Sequence, residues 1–399
     1  MDNVDKAENI GTGPVGDLLT DVGIQGNLFI ANGNGGSTTD ISDSLVGGLL
    51  VPGVAGYGLP RFWGTFGGIV TVLNGDGHDH FTLDNGNYDG GILTDLFIVN
   101  GDGGSSTRLL DSTVGHLVVP RNILPGATAA SPVSGPRGVP DCGVIVLNGA
   151  GKDCFTLDNT DAGDGVFGLV FIANGDGGSR TRLTNTQVDG NLTVLNGEGF
   201  DCFRQTNTPP PVGPAEGVGQ VVDGGVMGDV FIADSGGGSS TTFTETAVLG
   251  SATVLTGDGT DRLTVDTYAN GGNLFVSTGA GSDTVKMDNF GINGSSTIFT
   301  DADNDTVNIE TEHEEPVPGA DSLAEPLGDL TEGTFTGGLY LNTGAGDDSV
   351  TIGGSEDDTV ANFGSASILD GGLDTDTLDL AHAVFAPGTL DILNFENLV

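Results

Sequence analysis

The stretches VTVLNGDGHDHFTL (residues 70–83) and LFIVNGDGGSSTRL (residues 96–109) are two copies of one pattern, and that pattern returns along the whole chain. Aligning every copy on the residue before its first Gly gives Asn32, Asn74, Asn100, Asn148, Asn174, Asn196, Asp234, Thr256, Thr278, Thr300 and Thr343, with a looser copy at Asp370. The step from 174 to 196, and the three steps linking 234, 256, 278 and 300, are 22 residues each. Every copy alternates apolar and polar residues with period two, which is the signature of a strand with one buried face. A unit of this length cannot bury that face alone; it must stack on identical units above and below. The spacing therefore predicts an all-β, right-handed parallel β-helix with 22 residues per turn. At about 4.8 Å per stacked strand, a dozen turns extend about 60 Å.

Working outward from the anchor, positions −4 and −2 are aliphatic nearly throughout (Leu96 and Ile98, Val70 and Val72, Leu192 and Val194) and are predicted to stack inward. Position −3 then faces outward, yet it is Phe29, Phe97, Phe171, Phe231, Phe275 or Tyr340 in one class of turn and mostly Thr in the other. Position −1 does the reverse: it is Ala31, Ala173 or Ala233 in the Phe class, and Leu73, Leu147, Leu195 or Leu255 in the Thr class. An outer face carrying Phe29, Leu73, Phe97, Leu147, Phe171, Leu195, Phe231, Leu255 and Phe275 in register exceeds the apolar patch of an ordinary monomer. These nine residues are the expected interface, covered by an insertion or by a second copy of the chain.

The composition agrees with a single repeat domain over residues 1–399. Glycine occurs 71 times, and 43 of the 55 acidic residues are Asp, which leaves few good helix formers. The segments 52–68, 120–143, 206–224 and 311–333 are rich in Pro and Gly and interrupt the period, so they read as insertions leaving the solenoid. No apolar run is long enough to cross a membrane as a helix. With 11 Lys and Arg the formal net charge is −44, which repels nucleic acid and anionic membranes. It leaves two readings open: divalent cations as partners, or a heavily solvated surface. The N-terminus has no basic segment followed by an apolar one, so a removed export signal or a longer parent protein is expected.

Behind the anchor runs Gly-x-Gly-x-Asp-x-apolar, as in Gly257, Gly259, Asp261, Leu263 and in Gly279, Gly281, Asp283, Val285. These corners resemble the RTX nonapeptide, whose Asp residues and backbone carbonyls bind Ca²⁺ between turns of a β-roll. The resemblance covers about seven residues of each turn. Ser37, Ser105, Ser179 and Ser239 replace the Asp in the Phe-class turns, so a full metal ladder is not expected in the first half. From residue 256 onward the acid recurs in successive turns. The resemblance therefore implies Ca²⁺ held by Asp261, Asp283, Asp305 and Asp348 with Asp258 and Asp303, an oxygen-only set suited to that ion.

Turns such as GNLTVLNGEG (190–199) and GNLFVSTGAGSDTV (272–285), with the terminal NFENL (394–398), look like repeats of large bacterial cell-surface and extracellular β-helix proteins. That resemblance implies export, an extracellular or cell-surface location, and a non-enzymatic structural or adhesive role in which copies associate laterally or end to end. The alternative is a polysaccharide-active β-helix lyase or hydrolase, which makes polysaccharide a second candidate partner. Arg108, Arg182 and Arg262 could serve such a site, but solvated or Asp-paired arginines are the plainer expectation. No catalytic residue is assigned. His78 and His80 flank Asp79 but lack further nitrogen ligands for a metal. Cys154 and Cys202 occupy the same corner position two turns apart, too far for a disulfide, so only Cys142 could pair with either; three reduced thiols is the other expectation.

Overall fold

The computed structural model describes residues 24–25, 27–42, 45–47, 69–85, 91–92, 95–115, 143–160, 165–207, 225–310, 333–353, 361–380, 383–385 and 390–399. Among the described residues all strand pairings are parallel, and strands pair with the equivalent strands of neighbouring turns. The architecture is a parallel β-helix. The expected insertions 52–68, 120–143, 206–224 and 311–333 lie outside the described residues except at their edges, where Gly143, Thr206 and Gly333 are strand residues and Asn207 is buried.

One sheet has 13 strands and runs from Leu28–Ala31 to Leu390–Leu393; we refer to it as the first ladder. The other has 23 strands among the described residues and consists of two ladders side by side. The second ladder begins at Thr38–Ser42 and includes Asp79–Asp84 and Ser105–Leu110; the third holds two-residue strands such as Thr113–Val114 and Gly165–Val166. Ser239–Val248, Asp261–Asn270 and Thr284–Ile292 run through both without a break, which merges them into one sheet. Each turn of the chain thus crosses three sheet faces.

Alternation decides which side chains fill the interior. Val70, Val72, Leu96, Ile98, Val144 and Val146 of the first ladder are fully buried. Facing them, the second ladder sends in Thr39, Phe81, Thr107, Phe155, Thr181, Phe203 and Thr241, paired in that order. Large and small residues interleave there, which fills the core without overpacking. From Leu263 the same column continues as Val285, Val307, Val350 and Leu378, with no alternation. The third ladder of this region compensates with an aromatic stack: Phe290, Phe335, Phe363 and Phe385 have successive ring centroids 4.6, 5.2 and 4.3 Å apart.

Between the first and second ladders the chain turns through the Gly-rich corner. Gly281 has φ of +137°, and a Cβ there would lie 1.7 Å from the carbonyl oxygen of Gly259 in the turn below. Only glycine satisfies both the left-handed conformation and the close stacking.

Candidate functional site

The first ladder carries the expected outer face. In register, position −3 reads Phe29, Thr71, Phe97, Ile145, Phe171, Thr193, Phe231, Thr253, Phe275, with Ile145 breaking the alternation. Position −1 reads Ala31, Leu73, Val99, Leu147, Ala173, Leu195, Ala233, Leu255. Phe29 is 64% and Leu73 36% exposed, while Phe97, Leu147, Phe171, Leu195, Phe231, Leu255 and Phe275 are half-buried. A shallow depression lined by Asn191, Thr193, Asp229, Phe231, Ser251 and Thr253 opens on this face. It lies where the small Thr193 and Thr253 flank Phe231, so the surface is a row of ridges and hollows.

The Gly-rich corner directs its polar residues inward. In the first half an amide ladder forms: Asn32 Nδ2 donates to Asn74 Oδ1, and so on through Asn100, Asn148, Asn174 and Asn196, each bond 2.7 Å long. Asn196 donates to Asp234, where this ladder ends. Beside it, Asp and Ser alternate: Ser37 Oγ donates to Asp79 at 2.7 Å, and Ser105 Oγ to Asp153 at 2.9 Å. The second half replaces both columns. The hydroxyls of Thr256 and Thr343 donate to the carbonyls of Thr278 and Gly371 at 2.8 Å, and Thr300 donates to that of Thr343 at 3.1 Å. The acids then stack without spacers, the N–H of Asp261, Asp283 and Asp305 each donating to Oδ1 of the next acid at 2.8 Å. Asp348 continues the column to Asp376 at 3.0 Å.

These carboxylates are almost fully buried, and Oδ2 of Asp79, Asp153, Asp201, Asp283, Asp305, Asp348 and Asp376 has no hydrogen-bond partner. Burial is the largest influence on their ionisation. It pushes Asp283 up to about 6 and Asp305 up to about 7, against hydrogen bonds that favour the charged form and with reinforcement from neighbouring acids. Asp153 and Asp376 also rise to about 6, and Asp261 and Asp348 rise as well, chiefly through burial.

The six acids expected to hold calcium are therefore divided. Asp261, Asp283, Asp305 and Asp348 form one internal column, whereas Asp258 and Asp303 are exposed. The column offers oxygen ligands only, with one orphaned oxygen on each of Asp283, Asp305 and Asp348, and that chemistry suits Ca²⁺. Among the described residues no three His, Cys, Asp or Glu side chains converge as a ready-made group, so any ion must complete its shell with backbone oxygens of the corners.

His78 and His80 pack edge to face with centroids 4.6 Å apart. Cys154 and Cys202 are free thiols, and register places Arg180 between them, two strands apart as the spacing implied. Cys142 lies outside the described residues.

Arg108, Arg182 and Arg262, singled out individually in the sequence, belong to a larger cluster. Arg108, Arg182, Arg204 and Lys286 all stand eight residues after their anchors, and Arg180 and Arg262 six residues after theirs. Register carries them onto the outer side of the second ladder in two adjacent columns. Among the described residues the five arginines are exposed and form no ion pair, the solvated one of the two expected arrangements. Arg182 and Arg204 bond instead to Thr184 and Thr206 Oγ1 at 3.1 Å, and Lys286 alone is paired, with Asp288 at 3.1 Å. The signal was in the sequence: a shared offset from the anchor, invisible when each arginine is considered singly. Comparison of the chain with family models, with curated proteins and with solved structures gives no match.

Proposed function

We propose that this chain is a non-enzymatic structural or adhesive rod of the cell surface or extracellular matrix, whose copies associate through the outer face of the first ladder. The observation that carries this reading is the interleaving of Phe and Leu with Thr and Ala down that face, half-exposed and repeating with the turns. Ridges and hollows of one period are self-complementary, so a second copy can seat its Phe side chains where the first presents Thr. Burial of such a face contributes about 25 cal/mol per Å² before association costs are subtracted. The extracellular setting rests on the likeness of the repeats to those of bacterial surface proteins.

Sedimentation velocity tests the association. The unmodified protein is expected to sediment as a dimer or larger species at micromolar concentration, and Phe97→Ser, Phe171→Ser and Phe231→Ser combined should return it to a monomer. A parent protein that stays monomeric at high concentration overturns the reading.

Calcium is the proposed stabilising ligand of the column from Asp261 to Asp376, supported by the unpartnered buried oxygens there. A ligand that binds only the folded state adds about 2.7 kcal/mol at a hundredfold excess over its dissociation constant. Millimolar Ca²⁺ should raise the melting temperature and chelator should lower it; indifference to both removes calcium from the account.

A further inference from the structure

The chain has 11 basic residues against 55 acidic ones, and Lys6, Arg61, Arg121 and Arg137 lie outside the described residues. Of the seven described, only Lys152 is elsewhere; the other six are on the outer side of the second ladder. In register, one outward column reads Ser106, Cys154, Arg180, Cys202, Ser240, Arg262. Its neighbour reads Arg108, Thr156, Arg182, Arg204, Thr242, Thr264, Lys286. Neither stretch contains an acid or an aromatic residue. In a chain of net charge −44, a strip that gathers six of the seven described cations without an acid among them is a local reversal of charge.

We infer that this strip is a binding site for a linear acidic polysaccharide lying along the solenoid axis. The strip is two side chains wide and spans seven strands, about 29 Å at about 4.8 Å per strand, so it fits an extended polymer better than a compact partner. Exposed guanidinium groups present forked donors that match carboxylate or sulfate, and among the described residues none of the five arginines is held in an ion pair, although the next outward column carries Asp158, Asp266 and Asp288, the last paired with Lys286. The intervening Ser and Thr hydroxyls supply donors and acceptors for sugar hydroxyls. Single-stranded nucleic acid would want aromatic side chains on which to stack bases, and the two columns have none. Repulsion from the remaining acids is screened beyond about 8 Å at physiological ionic strength, while contacts at the guanidinium groups are not.

The site is on a different ladder from the apolar face, so it stands or falls separately from self-association. Fluorescence anisotropy of the full chain with labelled oligogalacturonate tests carboxylate recognition, and labelled heparin oligosaccharide tests sulfate. Neutral dextran and oligodeoxythymidylate serve as the contrasting probes. We expect one or both acidic glycans to bind, to weaken as salt is raised, and to bind about tenfold more weakly to R182S/R204S. The double variant should keep the parent's circular dichroism, melting temperature and sedimentation, because both side chains point outward. The Phe97, Phe171 and Phe231 variant should bind glycan as the parent does. The inference is overturned if neither acidic glycan binds, if R182S/R204S binds them unchanged, or if oligodeoxythymidylate binds as tightly. It is also overturned if R182S/R204S disperses the protein's own assembly, which would make a second copy the partner of the strip.

Discussion

The turns up to Phe243 and those from Ala252 onward solve the same packing problem in two ways. In the first region neighbouring turns differ: Asp79 with Phe81 follows Ser37 with Thr39, and Asp153 with Phe155 follows Ser105 with Thr107. In the column from Thr39 to Thr241 each Phe sits between two Thr, and each carboxylate of the corner sits between two Ser, while the neighbouring inward column from Ile41 to Leu183 is uniformly aliphatic. The structural repeat is two turns. In the second region each turn resembles the next, with aliphatic residues of similar size and acids directly stacked from Asp261 to Asp376. Alternation lets the first region hold its carboxylates apart with Ser, whereas the second must place like charges one strand apart inside the protein. Burial raises the acids' affinity for protons in both regions, and in the second the neighbouring acids add to it.

The largest expected difference lies in the core. Phe155→Ala leaves a cavity between Thr107 and Thr181, neither of which can extend into it, at a cost of about 3–5 kcal/mol. The corresponding Val285→Ala removes less volume between residues of its own size and should cost less. Chemical denaturation monitored by circular dichroism compares the two. Equal costs would mean that interleaving does not fill the core of the first region.

The corner columns offer a second comparison. Asn148 accepts from Asn100 Nδ2 and Ser105 Oγ and donates to Asn174, so Asn148→Ala strands several buried partners and should cost about 1–3 kcal/mol. Thr300→Val removes one hydroxyl, which donates to the carbonyl of Thr343 and also favours the charged Asp305, and should cost about 0.5–1.5 kcal/mol. A reversed order in thermal melting would show that the amide ladder carries little of the first region's stability.

Acidity separates the regions further. With Asp283 and Asp376 raised to about 6 and Asp305 to about 7 from 3.8, the folded protein holds protons that the unfolded chain has released. Their contribution is fully present below about pH 4 and is lost as pH rises through about 6 to 7. In chelator, the melting temperature should therefore fall between pH 4 and pH 8, and Asp305→Asn should flatten that fall. In the first region Asp153 and Asp234, both at about 6, and Asp201, also raised by burial, act in the same direction, so the contrast within the columns rests on Asp305. A profile that rises over this window contradicts the buried-column account.

The smallest expected effect is on the outer face. Phe97→Ser removes a half-buried side chain from outside the solenoid and should change monomer stability by about 1 kcal/mol or less. A large loss would mean that this column holds the turns together and is not reserved for contact between copies.

Much of this architecture was legible because period two is read directly from residues such as Val70, Val72 and Phe97, and because a repeat that cannot bury itself must stack. The inward direction of the acids was also available: Asp283 has the same parity as the buried Val285 and Met287. It was obscured by the likeness of the corner to a calcium-binding motif, which drew Asp258 and Asp303 into one group with residues they do not face. The amide ladder was hidden in the anchor itself, since Asn marks a turn as readily as it makes a side-chain column. The third ladder could not be read at all, because two-residue strands such as Gly165–Val166 carry no periodicity.

Cryo-electron microscopy of the purified, unmodified protein tests the central claim most directly, because it shows which faces meet. The account predicts paired or bundled solenoids in contact along the face that bears Phe97, Phe171 and Phe231, with Phe of one copy against Thr of the other. Isolated single solenoids at the same concentration, or a contact made through any other face, would contradict it.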